Sequence, residues 1–215
     1  MAKELAMRIG YIFIDTGAMY RAVTLLALRN GAFDCANNVD NAKLESLLKD
    51  ASITQRANAE QGGKAETFLN GENVENFIRD MEVSSRVSLV AAIPFVREEL
   101  VRQQRAMGEN GGVVMDGRDI GTTVFPHAEL KIFVTASKKV RAQRRFAELQ
   151  AKRQNVTIEE VLKNLEERDY IDSHRDVSPL RQAEDAVVID NTNLTRAEQL
   201  AMVLALFNER IKTLE

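Results

Sequence analysis

Residues 111–121 read Gly-Gly-Val-Val-Met-Asp-Gly-Arg-Asp-Ile-Gly. The apolar run Val113–Met115 is short, is preceded by glycine, and ends abruptly in Asp116. A run of this kind suits a buried strand of a parallel sheet, and so an α/β architecture. The polar groups that follow it, Asp116, Arg118 and Asp119 with Gly117 and Gly121, would lie at the carboxyl end of that strand. Open α/β sheets bind their ligands there. Glycines in such a place let the backbone turn sharply or approach a ligand closely. The plainer alternative is a strand followed by a solvated turn.

Composition narrows the class. With 215 residues, 45% of them hydrophobic, the chain can bury a substantial core as one globular domain with inserts. A net charge of -3 favours neither nucleic acid nor an anionic membrane as a partner. No stretch approaches the roughly 20 apolar residues of a membrane span, and Met1–Gly10 is charged and helical in pattern, unlike a signal peptide. The single cysteine, Cys35, has no histidine near it and reads as an inert thiol in a reducing, cytoplasmic setting. His127 and His174 are too few for a histidine-based metal site.

In chain order, Met1, Leu5 and Ile9 share one helical face and Gly10 stops that helix. A strand over Tyr11–Ile14 leads through Asp15-Thr16-Gly17 into a helix over Ala18–Arg29. The texture changes from Phe33 to Val83. Leu44, Leu47 and Leu48 predict a short helix, and Ser52–Arg56 and Ala65–Leu69 predict strands. Asn70-Gly71 predicts a hairpin that pairs residues 67–69 with 72–74. Short antiparallel strands within an α/β chain indicate an inserted subdomain over residues 33–83, between core segments 1–32 and 84–215. Val87–Gly108 reads as helix broken at Pro94, and Leu130–Thr135 as a second buried strand. A basic helix then carries Lys138, Lys139, Arg141, Arg144, Arg145, Lys152 and Arg153. Thr157–Glu160 is a capping box opening a helix to about Tyr170, and Val187–Ile189 is the last strand. Thr195–Glu198 caps a final helix with Leu200, Val203, Leu204, Phe207 and Ile211 at core spacing.

Arg168, Asp172 and Arg175 stand at successive turns, on one face. A solvated ion-pair ladder is the plain reading of that face, and the basic helix admits the same one. Arginine also suits phosphate, because its planar fork binds two oxygens at once and keeps its charge. Arginines beside strand ends and on a late helix, with an insert, suggest an anionic substrate such as a phosphate ester.

Taken together, Asp15-Thr16-Gly17-Ala18-Met19-Tyr20-Arg21, Ser88 to Arg97, Gly117-Arg118-Asp119-Ile120-Gly121 and Arg168 to Arg175 resemble the bacterial cytidylate kinases, over nearly the whole chain. The resemblance implies a P-loop NTPase-type parallel sheet flanked by helices, with an inserted monophosphate-binding subdomain and a lid. It implies transfer of the γ-phosphoryl of ATP to CMP or dCMP, with Mg2+. Arg21, Arg118 and Arg175 correspond to ligands of the CMP phosphate, and Ser88, Arg97 and Asp119 to readers of cytosine. Arg168 and Asp172 correspond to sugar and phosphate contacts, with Thr16 beside them. The lid would span about residues 148–156, with Arg144, Arg145 and Arg153 toward the ATP phosphates, and Asp116 would help to hold Mg2+ through water. Implied partners are the small molecules CMP or dCMP and ATP, with no nucleic acid and no membrane, for a cytoplasmic monomer.

The sequence departs from the family pattern at one place. Residues 1–215 hold no Gly-x-x-x-x-Gly-Lys-Ser/Thr; neither Gly62-Gly63 nor Gly111-Gly112 is followed by Lys-Ser/Thr. Met1–Gly10 corresponds to the helix that follows this loop, so the first, central strand is expected to be missing from the sheet. Two functions stay open: a (d)CMP kinase, and a catalytically inactive CMP-binding or structural remnant of one.

Overall fold

A computed structural model of the chain describes residues 1–58 and 64–213. Gly62-Gly63, one of the two glycine pairs weighed above, lies outside the described residues. Helix α1 (Ala2–Ile9), capped by Gly10, is followed by strand β1 (Ile12–Asp15) and helix α2 (Thr16–Arg29). The Asp15 carboxylate accepts from the Ala18 N–H at 2.9 Å and so caps α2. Most of α2 is buried, from Ala18 through Ala27, as befits a helix that is apolar nearly all round.

The insert consists of helix α3 (Asn41–Lys49) and strands β2 (Ile53–Asn58), β3 (Lys64–Leu69) and β4 (Glu72–Asn73). These strands form an antiparallel sheet in the order β2-β3-β4. The Asn70-Gly71 turn is present, and a bond from Val74 N–H to Thr67 O extends the hairpin. A short 3-10 turn (Phe77–Arg79) leads into helices α4 (Met81–Ala92) and α5 (Pro94–Gly108), with Pro94 opening α5. The insert does not have a core of its own. Leu44, Leu48, Ile53, Leu69, Val74 and Ile78 belong to one buried cluster with Met19, Val23, Val90, Val96 and Leu100.

Strand β5 (Val113–Asp116) pairs in parallel with β1, in a register that sets Asp15 opposite Asp116. Strand β6 (Ile132–Thr135) pairs in parallel with β7 (Val187–Asp190). Helices α6 (Lys138–Ala151) and α7 (Ile158–His174) connect them, and α8 (Arg196–Lys212) closes the chain. Both expected capping boxes are formed, at Thr157 and at Thr195. Leu5 of α1 and Leu200 and Val203 of α8 pack with Ile189, and Val114 and Ile132 lie against this second cluster.

Three expectations change. The strands read as buried, β5 and β6, are only part-buried or exposed; Val134 is 38% accessible, and in their partner strands Ile12 is 66% accessible and Val188 49%. The cause is topological, because among the described residues no ladder joins the β1-β5 pair to the β6-β7 pair, which leaves strand edges open. Helix α7 continues beyond Tyr170 to His174, so Arg168 and Asp172 are helical and Arg175 is the cap. Lys152 and Arg153 lie beyond the end of α6, Arg153 with φ +56°. Among the described residues no helix is long and apolar enough to cross a membrane.

Candidate active site

The carboxyl ends of β1 and β5 carry Asp15 and Asp116 side by side. The Thr16 hydroxyl donates to the Asp116 carbonyl at 2.7 Å and ties the two ends together. Gly117 is required at this junction, since a Cβ there would collide with the Thr16 hydroxyl and come within 2.7 Å of Ile120 Cδ1. After Asp119 the backbone makes a wide helical turn over Ile120–Val124, closed by bonds from Val124 N–H to Asp119 O and from Phe125 N–H to Ile120 O. Wide turns of this type occur mostly at functional sites. The turn aims the Asp119 carboxylate inward, where it is 4% accessible.

Two groups of side chains meet in front of these strand ends. In the first, Arg97 of α5 pairs with Asp119 through Nη2 and Oδ2, while its Nη1 donates to Ala91 O at 3.0 Å. Arg175 reaches Asp119 at 3.8 Å and Asp172 at 3.7 Å. Ser88 donates to Asp172 Oδ1 at 3.1 Å, and Arg118 Nε donates to Asp172 Oδ2 at 3.1 Å. Ser88, Arg97, Asp119, Asp172 and Arg175 are all buried, which overturns the ladder reading of the Arg168 face. Within this group Arg97 Nε and Arg175 Nη2 are buried donors without a hydrogen-bond acceptor among the described residues, Arg175 Nη2 standing 3.8 Å from Asp119 Oδ1. The Arg97 guanidinium lies 5.4 Å over the ring of Tyr20, whose phenol burial pushes up to about 12.

The second group is cationic. Arg21 of α2 donates to Ile78 O at 3.1 Å and to Ser84 Oγ at 2.8 Å. Arg145 of α6 donates to Arg79 O at 3.1 Å and to Ser84 Oγ at 3.3 Å. Burial and the neighbouring Arg168, Arg79 and Arg145 lower the Arg21 guanidinium to about 9. Burial, with Arg118 and Arg145 also opposing its charge, lowers Arg168 to about 10, and its Nε is buried without a partner. A cluster of like charges that depress one another favours an anion. Arg79 is the exception, because Asp15 at 2.7 Å and Glu75 at 2.9 Å neutralise it. The Gln55 carboxamide of β2 accepts from Asp15 N–H at 3.1 Å and donates to Asp15 O at 2.5 Å, which fastens the insert to the end of β1. A cavity of about 230 Å³, lined by Lys3, Phe13, Asp15, Thr67, Glu75 and Arg79, opens beside it. A larger groove of about 930 Å³ lies between α3 and α5, where Lys49 and Arg102 are paired with Glu45 and Glu99 and Glu98 adds a further negative charge, so no excess of cations lines it.

Most of the residues singled out from the sequence thus converge, with rearranged partners. Arg175 stands with Arg97 and Asp119, apart from the Arg21 group. Ser88 bonds Asp172 instead of joining Arg97 and Asp119. Arg145 faces Arg21 and Ser84, on the side expected for the monophosphate. Arg144 is held by Asn191, donating to its side-chain and main-chain oxygens at 2.9 Å. Arg153 is exposed outside both groups. Sequence reasoning missed Gln55, Glu75, Arg79 and Ser84. No motif marks them, and only the burial of Ser84 and the pairing of Arg79, both properties of the fold, single them out. Burial and the charge of Asp15 raise the Asp116 carboxyl, which is open to solvent on one side yet walled by protein on the other. Among the described residues no three carboxylate, histidine or cysteine groups stand close enough to hold a metal ion by themselves.

Residues 1–209 match the profile of the cytidylate kinase family. The cytidylate kinase of Bacteroides thetaiotaomicron is 56% identical over 212 residues, which are 99% of this chain and 92% of that protein. The cytidylate kinase of Porphyromonas gingivalis is 59% identical over 210 residues, 97% of this chain and 90% of that one. The cytidylate kinase of Flavobacterium johnsoniae is 53% identical over 212 residues, 99% and 91% of the two chains. With a profile match over nearly its full length and relatives this similar, the chain belongs to the cytidylate kinase family.

Proposed function

We propose that the chain is a nucleoside monophosphate kinase that transfers the γ-phosphoryl of ATP to CMP or dCMP. The observation that carries the substrate is the buried Arg97–Asp119 pair together with the Arg21, Arg145 and Arg168 cluster. Cytosine offers an N4 amino donor together with N3 and O2 acceptors. Asp119 accepts from the amino group, and Arg97 Nε and Arg175 Nη2, without a hydrogen-bond acceptor among the described residues, donate to the acceptors. Uracil reverses the polarity at positions 3 and 4 and would set its O4 against the carboxylate. Asp172, held by Ser88, Arg118 and Arg175, lies between the base and phosphate groups, where it reaches the sugar. Arg21, Arg118, Arg145 and Arg168 receive the phosphate.

Phosphoryl transfer asks little covalent chemistry of the protein; positioning and charge neutralisation dominate. The arginines hold the attacking phosphate oxygens and screen the charge they bring toward a second anion. Mg2+ bound with ATP would neutralise the phosphate chain. Asp116 fits that role: it is a single carboxylate whose pKa is raised by burial and then by Asp15, and Mg2+ commonly takes only one or two carboxylates and keeps waters and phosphates as its other ligands. A second reading, CMP binding without turnover, is favoured by one observation, that residues 1–215 hold no Gly-x-x-x-x-Gly-Lys-Ser/Thr.

Titration of residues 1–215 with CMP, dCMP, UMP and AMP, together with an assay of CMP-dependent ADP formation, tests these readings. Preferential binding of CMP or dCMP supports the substrate; equal affinity for all four sinks it. Binding without ADP formation favours the second reading.

A further inference from the structure

Ser84 stands in the first turn of α4 and is 1% accessible. Its hydroxyl oxygen accepts from Arg21 Nη1 at 2.8 Å and from Arg145 Nη2 at 3.3 Å. These arginines come from α2 and α6, distant in sequence and on different sides of the site. A serine oxygen has two lone pairs, and both are taken by guanidinium donors. The backbone repeats the arrangement, since Ile78 O receives Arg21 and Arg79 O receives Arg145. Glu148 at 2.9 Å holds the remaining arm of Arg145. Among the described residues Ser84 is the one side chain bonded to both arginines.

Two cations held on one neutral oxygen repel each other, and nothing in their contact with Ser84 compensates that repulsion. The arrangement is rational if a dianion joins them. The proposal rests on the reading that a monophosphate binds in front of Arg21. We propose that Ser84 is a positioning residue of the phosphate subsite: its hydroxyl gathers Arg21 and Arg145 onto one phosphate and so couples α6, the helix leading into the 148–156 turn, to substrate. An alanine at this place would remove the one oxygen that the two guanidinium groups share, leaving Arg21 on Ile78 O and Arg145 on Arg79 O and Glu148, without touching the base contacts at Arg97 and Asp119.

The test compares CMP with cytidine, because the ratio of their affinities isolates what the phosphate contributes. Dissociation constants for both are measured by calorimetry in the parent chain, Ser84→Ala, Arg145→Met and the double variant. Ser85→Ala is the control, since its hydroxyl bonds only Glu82 O, on the exposed side of the same helix. Ser84→Ala is expected to lower the CMP-to-cytidine ratio about tenfold, as for loss of a hydrogen bond to a charged group. Cytidine affinity should stay within about twofold and Ser85→Ala should change neither. The Ser84 and Arg145 losses should be less than multiplicative in the double variant, as for residues that act together. An unchanged ratio in Ser84→Ala, equal losses for CMP and cytidine, or multiplicative losses would each overturn the proposal. A parent chain that binds cytidine as tightly as CMP would instead remove the phosphate reading under the proposed function, and this inference with it.

Discussion

Asp119 and Arg97 are 22 residues apart and form a buried ion pair, and its carboxylate is the acceptor proposed for the base. Replacing Asp119 with alanine should reduce the preference for CMP over UMP by about a hundredfold or more, since a site built on buried polar pairing discriminates by up to about 10⁴. Phosphate-dependent affinity should fall far less, because the Arg21 group does not contain Asp119. Titrating both nucleotides into the variant checks this, and equal losses for the two would show that Asp119 does not read the base. Asp116 makes a different prediction. Its folded pKa is raised, so the folded chain holds this proton more tightly than the unfolded one. As pH rises through the unfolded value, about 4, the unfolded chain loses the proton first, and stability falls until the folded carboxyl ionises too. Asp116→Asn should therefore flatten the acid side of the stability profile and leave Tm at pH 7 no lower than in the parent chain. Thermal melts from pH 4 to 8 would show it, and a lowered Tm at pH 7 would contradict it. Much of this chemistry was legible in the sequence, because Arg118, Asp119, Arg168, Asp172 and Arg175 fall in two compact runs. Their pairing was not. Ser88 meets Asp172 across 84 residues and Arg145 meets Ser84 across 61, and local spacing carries no signal for either.

At the scale of elements, residues 33–83 read in sequence as an inserted subdomain, yet they share the main core: Leu44 and Ile78 are fully buried in the cluster that contains Met19 and Leu100. Leu44→Ala should destabilise the whole domain by about 2–5 kcal/mol in a single cooperative transition. A separate early transition in denaturant would mean that the insert folds as its own unit. In residues 148–156, the segment expected to form a lid, Leu149 is fully buried, and beyond it the Gln154 side chain donates to Asp80 Oδ1 at 2.7 Å. Hydrogen exchange should accordingly be slow through Leu149, fast over residues 150–156, and slowed there by CMP, since local opening follows the density of buried contacts. Fast exchange throughout 33–83 in the free chain would go against this division. Helix positions were legible because caps such as Thr157 and Thr195 and breaks such as Pro94 act locally. Strand burial was not, because it depends on which strands are neighbours. The run Val113–Met115 is apolar enough for a central strand, yet among the described residues β5 is paired only with β1.

For the whole molecule, the decisive relation is between the monophosphate site and the sheet. Everything proposed to hold CMP lies on α2, α4, α5, α6, α7 and the turn after β5. The phosphates of ATP need something else: a nest of backbone N–H groups, a lysine, and a hydroxyl on magnesium. Residues 1–215 contain no Gly-x-x-x-x-Gly-Lys-Ser/Thr that would supply them. Guanidinium groups cannot stand in, because they neither coordinate a cation nor form the backbone cradle. The described sheet is also divided, with β1-β5 and β6-β7 as separate parallel pairs and Ile12 and Val188 open to solvent. The two halves are joined instead through helices: α1 and α8 pack over Val114 and Ile132 in one cluster, and α4 meets α7, where Ser88 donates to Asp172. CMP binding should therefore survive in residues 1–215 while ATP-driven turnover is negligible. Fusing a strand and a Gly-x-x-x-x-Gly-Lys-Ser/Thr loop in front of Met1 should leave CMP affinity within about threefold and raise CMP-dependent ADP formation by at least about 10³-fold, in line with the weight of charge stabilisation in phosphoryl transfer. It should also raise Tm, as strand edges become paired. Strong turnover by residues 1–215 alone would refute this and would show that another segment cradles the ATP phosphates.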